Sequence, residues 1–217
     1  MVLAAHGTRS AEGRNRVRAL LEAVRSHDPA REVWLGHVDV QGPTLDEAIA
    51  AASSPPVVAP LFLSAGVHVR TDVATAAGRR PGTVVGRRLG AHPVIVTLLA
   101  EQVRVVMPDP DLPVALVAAG SSDPRARAEV AALARALAHR TGIHVEPAFL
   151  TGSGPRASDV VPRSAGALSL LLAPGHFATR LDELGQVHGI RASPPLLTEP
   201  AAAAAGARRR LRGPIPA

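Results

Sequence analysis

The chain repeats itself, and nothing else in the sequence narrows its fold as much. Leu116-Val117-Ala118-Ala119-Gly120-Ser121-Ser122-Asp123 echoes Leu3-Ala4-Ala5-His6-Gly7-Thr8-Arg9. Further on, Leu168-Ser169-Leu170-Leu171-Leu172-Ala173-Pro174-Gly175-His176-Phe177 echoes Val58 to His68, and Pro155 stands where Pro43 stood. The matching positions lie about 110 residues apart, so two copies of one unit account for nearly all 217 residues. Between the copies, Met107-Pro108-Asp109-Pro110-Asp111-Leu112-Pro113 has turn composition and no periodicity. The expected division is 1–106, a linker at 107–113, and 114–217.

Within each copy, short apolar runs alternate with helical patterns. The first copy predicts strands at Val2–Ala5, Val33–Val40, Val57–Leu63 and Thr83–Gly86. Glu12–Ser26 carries Val17, Leu20, Leu21 and Val24 at helical spacing. Helices are also expected from Pro43-Thr44 to about Ala52, with Pro43 in the first turn and Asp46 and Glu47 at the positive end, from His68 to about Ala77, and from His92 to Val106. In the second copy a strand at Leu116 precedes a helix over Arg125–Ala138 and a strand over His144–Leu150. This alternation is the signature of an α/β fold whose parallel sheets are covered on both faces. Two such lobes facing each other leave a cleft, where ligands commonly bind.

Composition limits the chemistry. The chain has no Cys, so thiolate metal sites and disulfides are excluded, and any metal chemistry uses His, carboxylate or water. One Trp, three Phe and no Tyr leave the core to Ala, Val and Leu. The net charge of +6 comes from scattered Arg residues without interleaved aromatics, which fits a small polyanionic ligand better than nucleic acid. No apolar run approaches the roughly 20 residues of a membrane span, and Val2-Leu3-Ala4-Ala5 follows Met1 without a basic leader segment. A soluble cytoplasmic protein is the expectation, and a monomer, because two lobes already share one chain.

His6 lies at the carboxyl end of the first strand, in Ala5-His6-Gly7-Thr8-Arg9-Ser10, and that edge is the functional one in open α/β sheets. His68 lies in Pro60-Leu61-Phe62-Leu63-Ser64-Ala65-Gly66-Val67-His68-Val69-Arg70-Thr71-Asp72, again after a buried strand and a small-residue turn. The two histidines are expected at one edge, on neighbouring strands. Imidazole ligates Fe, Co, Ni and Zn and accepts protons near neutral pH. Asp39, near the end of the second strand, would ligate a metal there or orient a histidine, or else cap the strand or pair with an Arg. His37 is expected on the same sheet face as Asp39. His27, His139 and His188 sit at helix ends, His92 at a helix start, and His144 within a strand. Gly120-Ser121-Ser122-Asp123 could hold a phosphate, but no glycine-rich nucleotide signature accompanies it.

The segments around His6 and His68 resemble the two signatures of the sirohydrochlorin chelatase family, the CbiX/SirB-type class II tetrapyrrole chelatases. The resemblance covers the whole chain, duplication included. It implies two similar flavodoxin-like lobes and insertion of Fe²⁺ or Co²⁺, with Ni²⁺ a third candidate, into sirohydrochlorin for siroheme or cobalamin synthesis. No permanent cofactor is implied, and the partner is the small-molecule tetrapyrrole alone, with neither nucleic acid nor membrane. The family's metal-handling histidines match His6 and His68, and a family glutamate matches Asp39, a shorter carboxylate. Arg9 and Arg70, with Arg14 beside them, are candidate clamps for the ring's carboxylates. Ser64, Gly66 and His176 are further candidate substrate contacts. In the second copy Ala119 takes the place of His6, Phe177 that of His68, and His176 falls one position early, which leaves that lobe to cover the substrate. The alternatives are a chelatase for another porphyrin ring and a tetrapyrrole or metal carrier without catalysis.

Overall fold

The computed structural model describes residues 1–64, 67–90, 92–107, 109 and 111–197, with only the backbone path for 67–70. The elements of the first repeat are β1 (Val2–Ala5), α1 (Ala11–His27), β2 (Trp34–His37), α2 (Leu45–Ala51), β3 (Val57–Pro60), α3 (Val67–Gly78), β4 (Val84–Val85) and α4 (Pro93–Val106). The second repeat contributes β5 (Val114–Ser121), α5 (Pro124–Thr141), β6 (Val145–Gly152), α6 (Ala157–Val160), β7 (Gly166–Leu170) and α7 (His176–His188).

Two parallel sheets result, in the orders β2-β1-β3-β4 and β6-β5-β7. The expected α/β architecture of two helix-flanked lobes is therefore present. The duplication reaches fine detail. His37 N–H donates to Pro43 O, and at the matching place Phe149 N–H donates to Pro155 O. The Gly86 and Ser193 N–H groups likewise reach Val58 O and Ala167 O at matching places.

Apolar spacing decides what each helix buries. In α1, Val17 and Leu21 join Leu3 and Ala5 on one face of the first sheet. Leu45, Ala48 and Ile49 of α2 join Val2, Ala4 and Val58 on the other. Local signals fix the helix starts. Ser10 caps α1 by accepting from Gly13 N–H. Thr44 and Glu47 form a reciprocal capping box at α2.

Several boundaries differ from expectation. β2 stops at His37, so Asp39 stands beyond the strand and does not share a sheet face with His37. Val38, Asp39 and Val40 continue the apolar–polar alternation, but the chain turns sharply there. β3 ends at Pro60, where the ring removes a ladder donor. Thr44 caps α2, which leaves Pro43 outside the first turn, and His144 immediately precedes β6.

The placement of α4 departs most from two self-contained repeats. Leu99, Val103 and Val106 are fully buried, and their partners include Val114, Leu116, Val130 and Leu168 of the second repeat. A helix from the first repeat thus covers the second sheet. At the other junction, Leu172 and Ala173 pack against β1 and α1. No described helix is long and apolar enough to cross a membrane.

Candidate functional site

The carboxyl ends of β1, β5 and β7 converge on one cavity of about 700 Å³ between the lobes. From the first lobe it takes His6, Arg9, Val40, Gln41, Phe62 and Ser64. The second lobe supplies Ser121, Ser122, Leu170, Leu172, His176 and Phe177. One part of the wall is cationic and imidazole-bearing, and the rest is mostly aliphatic. A smaller concavity beside Arg25 and Trp34 opens at the opposite, amino-terminal edge of β2. In parallel sheets that edge is not the functional one.

His6 follows the last residue of β1 and is exposed to the cavity. Its turn is held from several sides. Gly7 has φ +98°, and a Cβ there would collide with the Asp39 carbonyl oxygen, so only glycine fits. Asp39 N–H donates to His6 O at 3.0 Å. Ser10 N–H donates to Thr8 Oγ1 at 3.2 Å, and the Arg14 guanidinium donates to Arg9 O at 2.8 Å. Arg14 thus braces the turn through Nη1 and also lines the cavity. Arg9 is exposed and lines the cavity.

β1 and β3 are neighbours, as the histidine pair requires. His68 and Arg70 fall in the first turn of α3, the helix that follows β3, and their side chains lie outside those described. Gly66 is also outside the described residues. Ser64 lines the cavity. Asp39 is exposed, and its Oδ1 accepts from Val40 N–H at 2.7 Å. Its backbone joins the His6 turn, while its carboxylate does not line the cavity. Among the described residues, no three His, Cys, Asp or Glu side chains gather as a metal cage. His176 begins α7, is exposed, and faces the cavity from the second lobe beside Phe177, with ring centres 5.4 Å apart.

His37 has a clear assignment. It is 3% exposed, and Pro43 O accepts from its Nδ1 at 3.0 Å. Burial pushes its pKa below the ordinary value, against the opposing pull of the Pro43 carbonyl and with a small push from Arg18. Burial thus favours its neutral form, and the ring, with both nitrogens engaged, also lines the cavity. Sequence reasoning missed Gln41, whose side chain touches both His37 and the His6 turn. No periodic signal marks it.

A family model, CbiX, matches residues 1–106 and again residues 113–205. The chain belongs to the CbiX family. The chain is also similar to the sirohydrochlorin ferrochelatase of Bacillus subtilis (strain 168), 25% identical over 167 residues. That match takes in 71% of this chain and 64% of the relative, so the chain spans just under two thirds of that relative's length. Two solved structures share the fold across both lobes. SirB from Bacillus subtilis with Fe³⁺ superposes with a TM-score of 0.75 at 21% identity, covering 96% of this chain and 92% of the other. The sirohydrochlorin chelatase SirB from Bacillus subtilis subspecies spizizenii, in complex with cobalt, gives 0.74 at 20% identity with the same coverage. A multi-domain Deinococcus radiodurans protein with structural similarity to chelatases gives 0.69 at 24% identity, covering 99% of this chain and 55% of the other.

Proposed function

We propose that this CbiX-family chain is a sirohydrochlorin chelatase that inserts Fe²⁺ or Co²⁺ into the ring. One observation carries the reading: His6 presents an exposed imidazole, at the carboxyl end of β1, to an interlobe cavity with a largely aliphatic wall. A flat apolar ring rimmed by carboxylates matches such a cavity, with Arg9 at its edge. The sirohydrochlorin ferrochelatase and SirB relatives support the choice of ring and metal.

In this reading His6 and His68 hand the metal to the ring nitrogens and accept the two pyrrole N–H protons that leave. Asp39, whose backbone N–H holds the His6 turn, serves as an orienting carboxylate, or as a third metal contact once its side chain turns from Val40 N–H into the cavity. Arg9 and Arg70 hold peripheral carboxylates bidentately. Ser64, Gly66 and His176 contact the ring. The division into 1–106, 107–113 and 114–217 gives one repeat the chemistry and the other the cover. The enzyme works as a cytoplasmic monomer with no resident cofactor, and its product serves siroheme or cobalamin synthesis.

His6→Ala tests this directly. Metallation should fall by at least about 100-fold, the scale of a lost proton acceptor or ligand, with unfolding unchanged because the side chain is exposed. His68→Ala should match it and His176→Ala should cost far less. Equal losses at His6 and His176 would move the chemistry elsewhere in the cavity.

A further inference from the structure

We infer that Gln41 is a positioning residue for His6, locking the turn that carries it to the buried ring of His37. The inference deepens the proposed function and rests on it for the role of His6. Three contacts are in series. Thr8 N–H donates to Gln41 Oε1 at 3.2 Å, Gln41 Nε2 lies 2.9 Å from His37 Nε2, and His37 Nδ1 lies 3.0 Å from Pro43 O.

Only one arrangement of hydrogens satisfies the series. A carbonyl oxygen only accepts, so His37 carries its proton on Nδ1. Its Nε2 is then bare and accepts from the Gln41 amide. That turns Oε1 toward Thr8, whose backbone N–H needs an acceptor. Reversing the amide would set donor against donor at Thr8 and acceptor against acceptor at His37. The buried ring therefore dictates which way the amide points, and the amide dictates where the turn after His6 rests.

The backbone supports the same assignment. Gln41 N–H donates to Asp39 O at 2.8 Å across Val40, which has φ +71°. A β-branched residue rarely adopts this conformation, which persists only where the surroundings impose it. The tight turn directs the Gln41 side chain between Thr8 and His37. An ordinary strand end would have carried it past them.

Gln41→Met keeps the length of the side chain and removes both hydrogen bonds. The test combines three measurements on the full chain: amide hydrogen exchange at Thr8, Co²⁺ affinity read from the His6 ring resonances, and steady-state metallation of sirohydrochlorin. Thr8 should lose protection by about 2- to 10-fold, the net value of a hydrogen bond. Co²⁺ affinity and kcat should each fall about 10- to 100-fold, as for other partners that orient a metal-handling group, with KM for the ring within about threefold. Unchanged Thr8 exchange would overturn the inference. So would lost protection at Thr8 with Co²⁺ affinity and kcat intact, because Gln41 would then be structural only. A wild-type chain that binds Co²⁺ at His6 but does not metallate sirohydrochlorin would overturn the proposed function, while Thr8 exchange and Co²⁺ affinity would still decide the role of Gln41.

Discussion

At the scale of single residues, His6 and His37 show how one side-chain type takes opposite roles a few residues from the same sheet edge. His6 follows its strand into the cavity, exposed and facing a space shared by both lobes. His37 ends the neighbouring strand facing inward, with both ring nitrogens engaged. Burial holds it neutral in the folded chain, and this fixes the direction of a pH effect. The unfolded chain takes up a proton near the ordinary value of 6.5, and the folded chain only at lower pH. In between, the unfolded state binds more protons, so stability falls as pH drops below 6.5. Glu32, held by the Ser53 backbone and hydroxyl, and Glu47, held by Thr44, have pKa values pushed below 4.5 and add a separate loss in that lower range. Urea unfolding from neutral to pH 5, beside an NMR titration of the His37 ring, should show the first loss tracking a depressed midpoint. A His37 midpoint at or above 6.5 would contradict the neutral assignment. The place of His6 was legible because the carboxyl ends of strands in parallel sheets open onto the cleft. Gln41 was not, because its role depends on the backbone of Val40, which no pattern of side chains encodes.

Among the elements, α1 and the loop before α7 decide how the lobes meet. Gly13 lies within α1, and a Cβ there would collide with the carbonyl oxygen of Pro174 and approach Thr8 Cγ2 within 2.9 Å. The helix therefore rests directly on the backbone of the second lobe, at the root of the cavity. In an exposed helix, Gly→Ala stabilises by roughly 0.5–1 kcal/mol. Here Gly13→Ala should do the opposite, lowering stability by about 1–3 kcal/mol through overpacking. Thermal unfolding gives the sign at once, and a raised Tm would show that the two lobes do not touch there. Helix positions were readable from apolar spacing and caps such as Ser10 and Thr44. Strand ends were overextended, at β2 because alternation ran on through Val40 and at β3 because the apolar residues run on past Pro60, whose missing N–H ends the ladder.

For the whole molecule, the repeats are joined by more than a linker. Leu99, Val103 and Val106 of α4 belong to the core of the second sheet, and Arg88 forms a half-buried ion pair with Glu129 of α5. Leu99→Ala should cost about 2–5 kcal/mol, within one cooperative transition that reports both lobes together. Two separate transitions, only one of them shifted, would contradict a shared core. The duplication, and hence the two-lobed α/β fold, could be read from matching segments about 110 residues apart. The crossing of α4 could not, because periodicity shows that a helix buries a face and is silent on which sheet receives it. The same architecture places His6 opposite an aliphatic wall from the second lobe, so a ring bound there would touch both repeats.

The most direct test of the proposed function is anaerobic absorbance of the wild-type chain with sirohydrochlorin and either Fe²⁺ or Co²⁺, beside mixtures of ring and metal alone. A chelatase should convert the free-ring spectrum to the metallated one far faster than the protein-free mixture, with the two rates ranking the metals. Tight binding of the free ring with no acceleration by either metal would contradict the proposal and leave a tetrapyrrole carrier in its place.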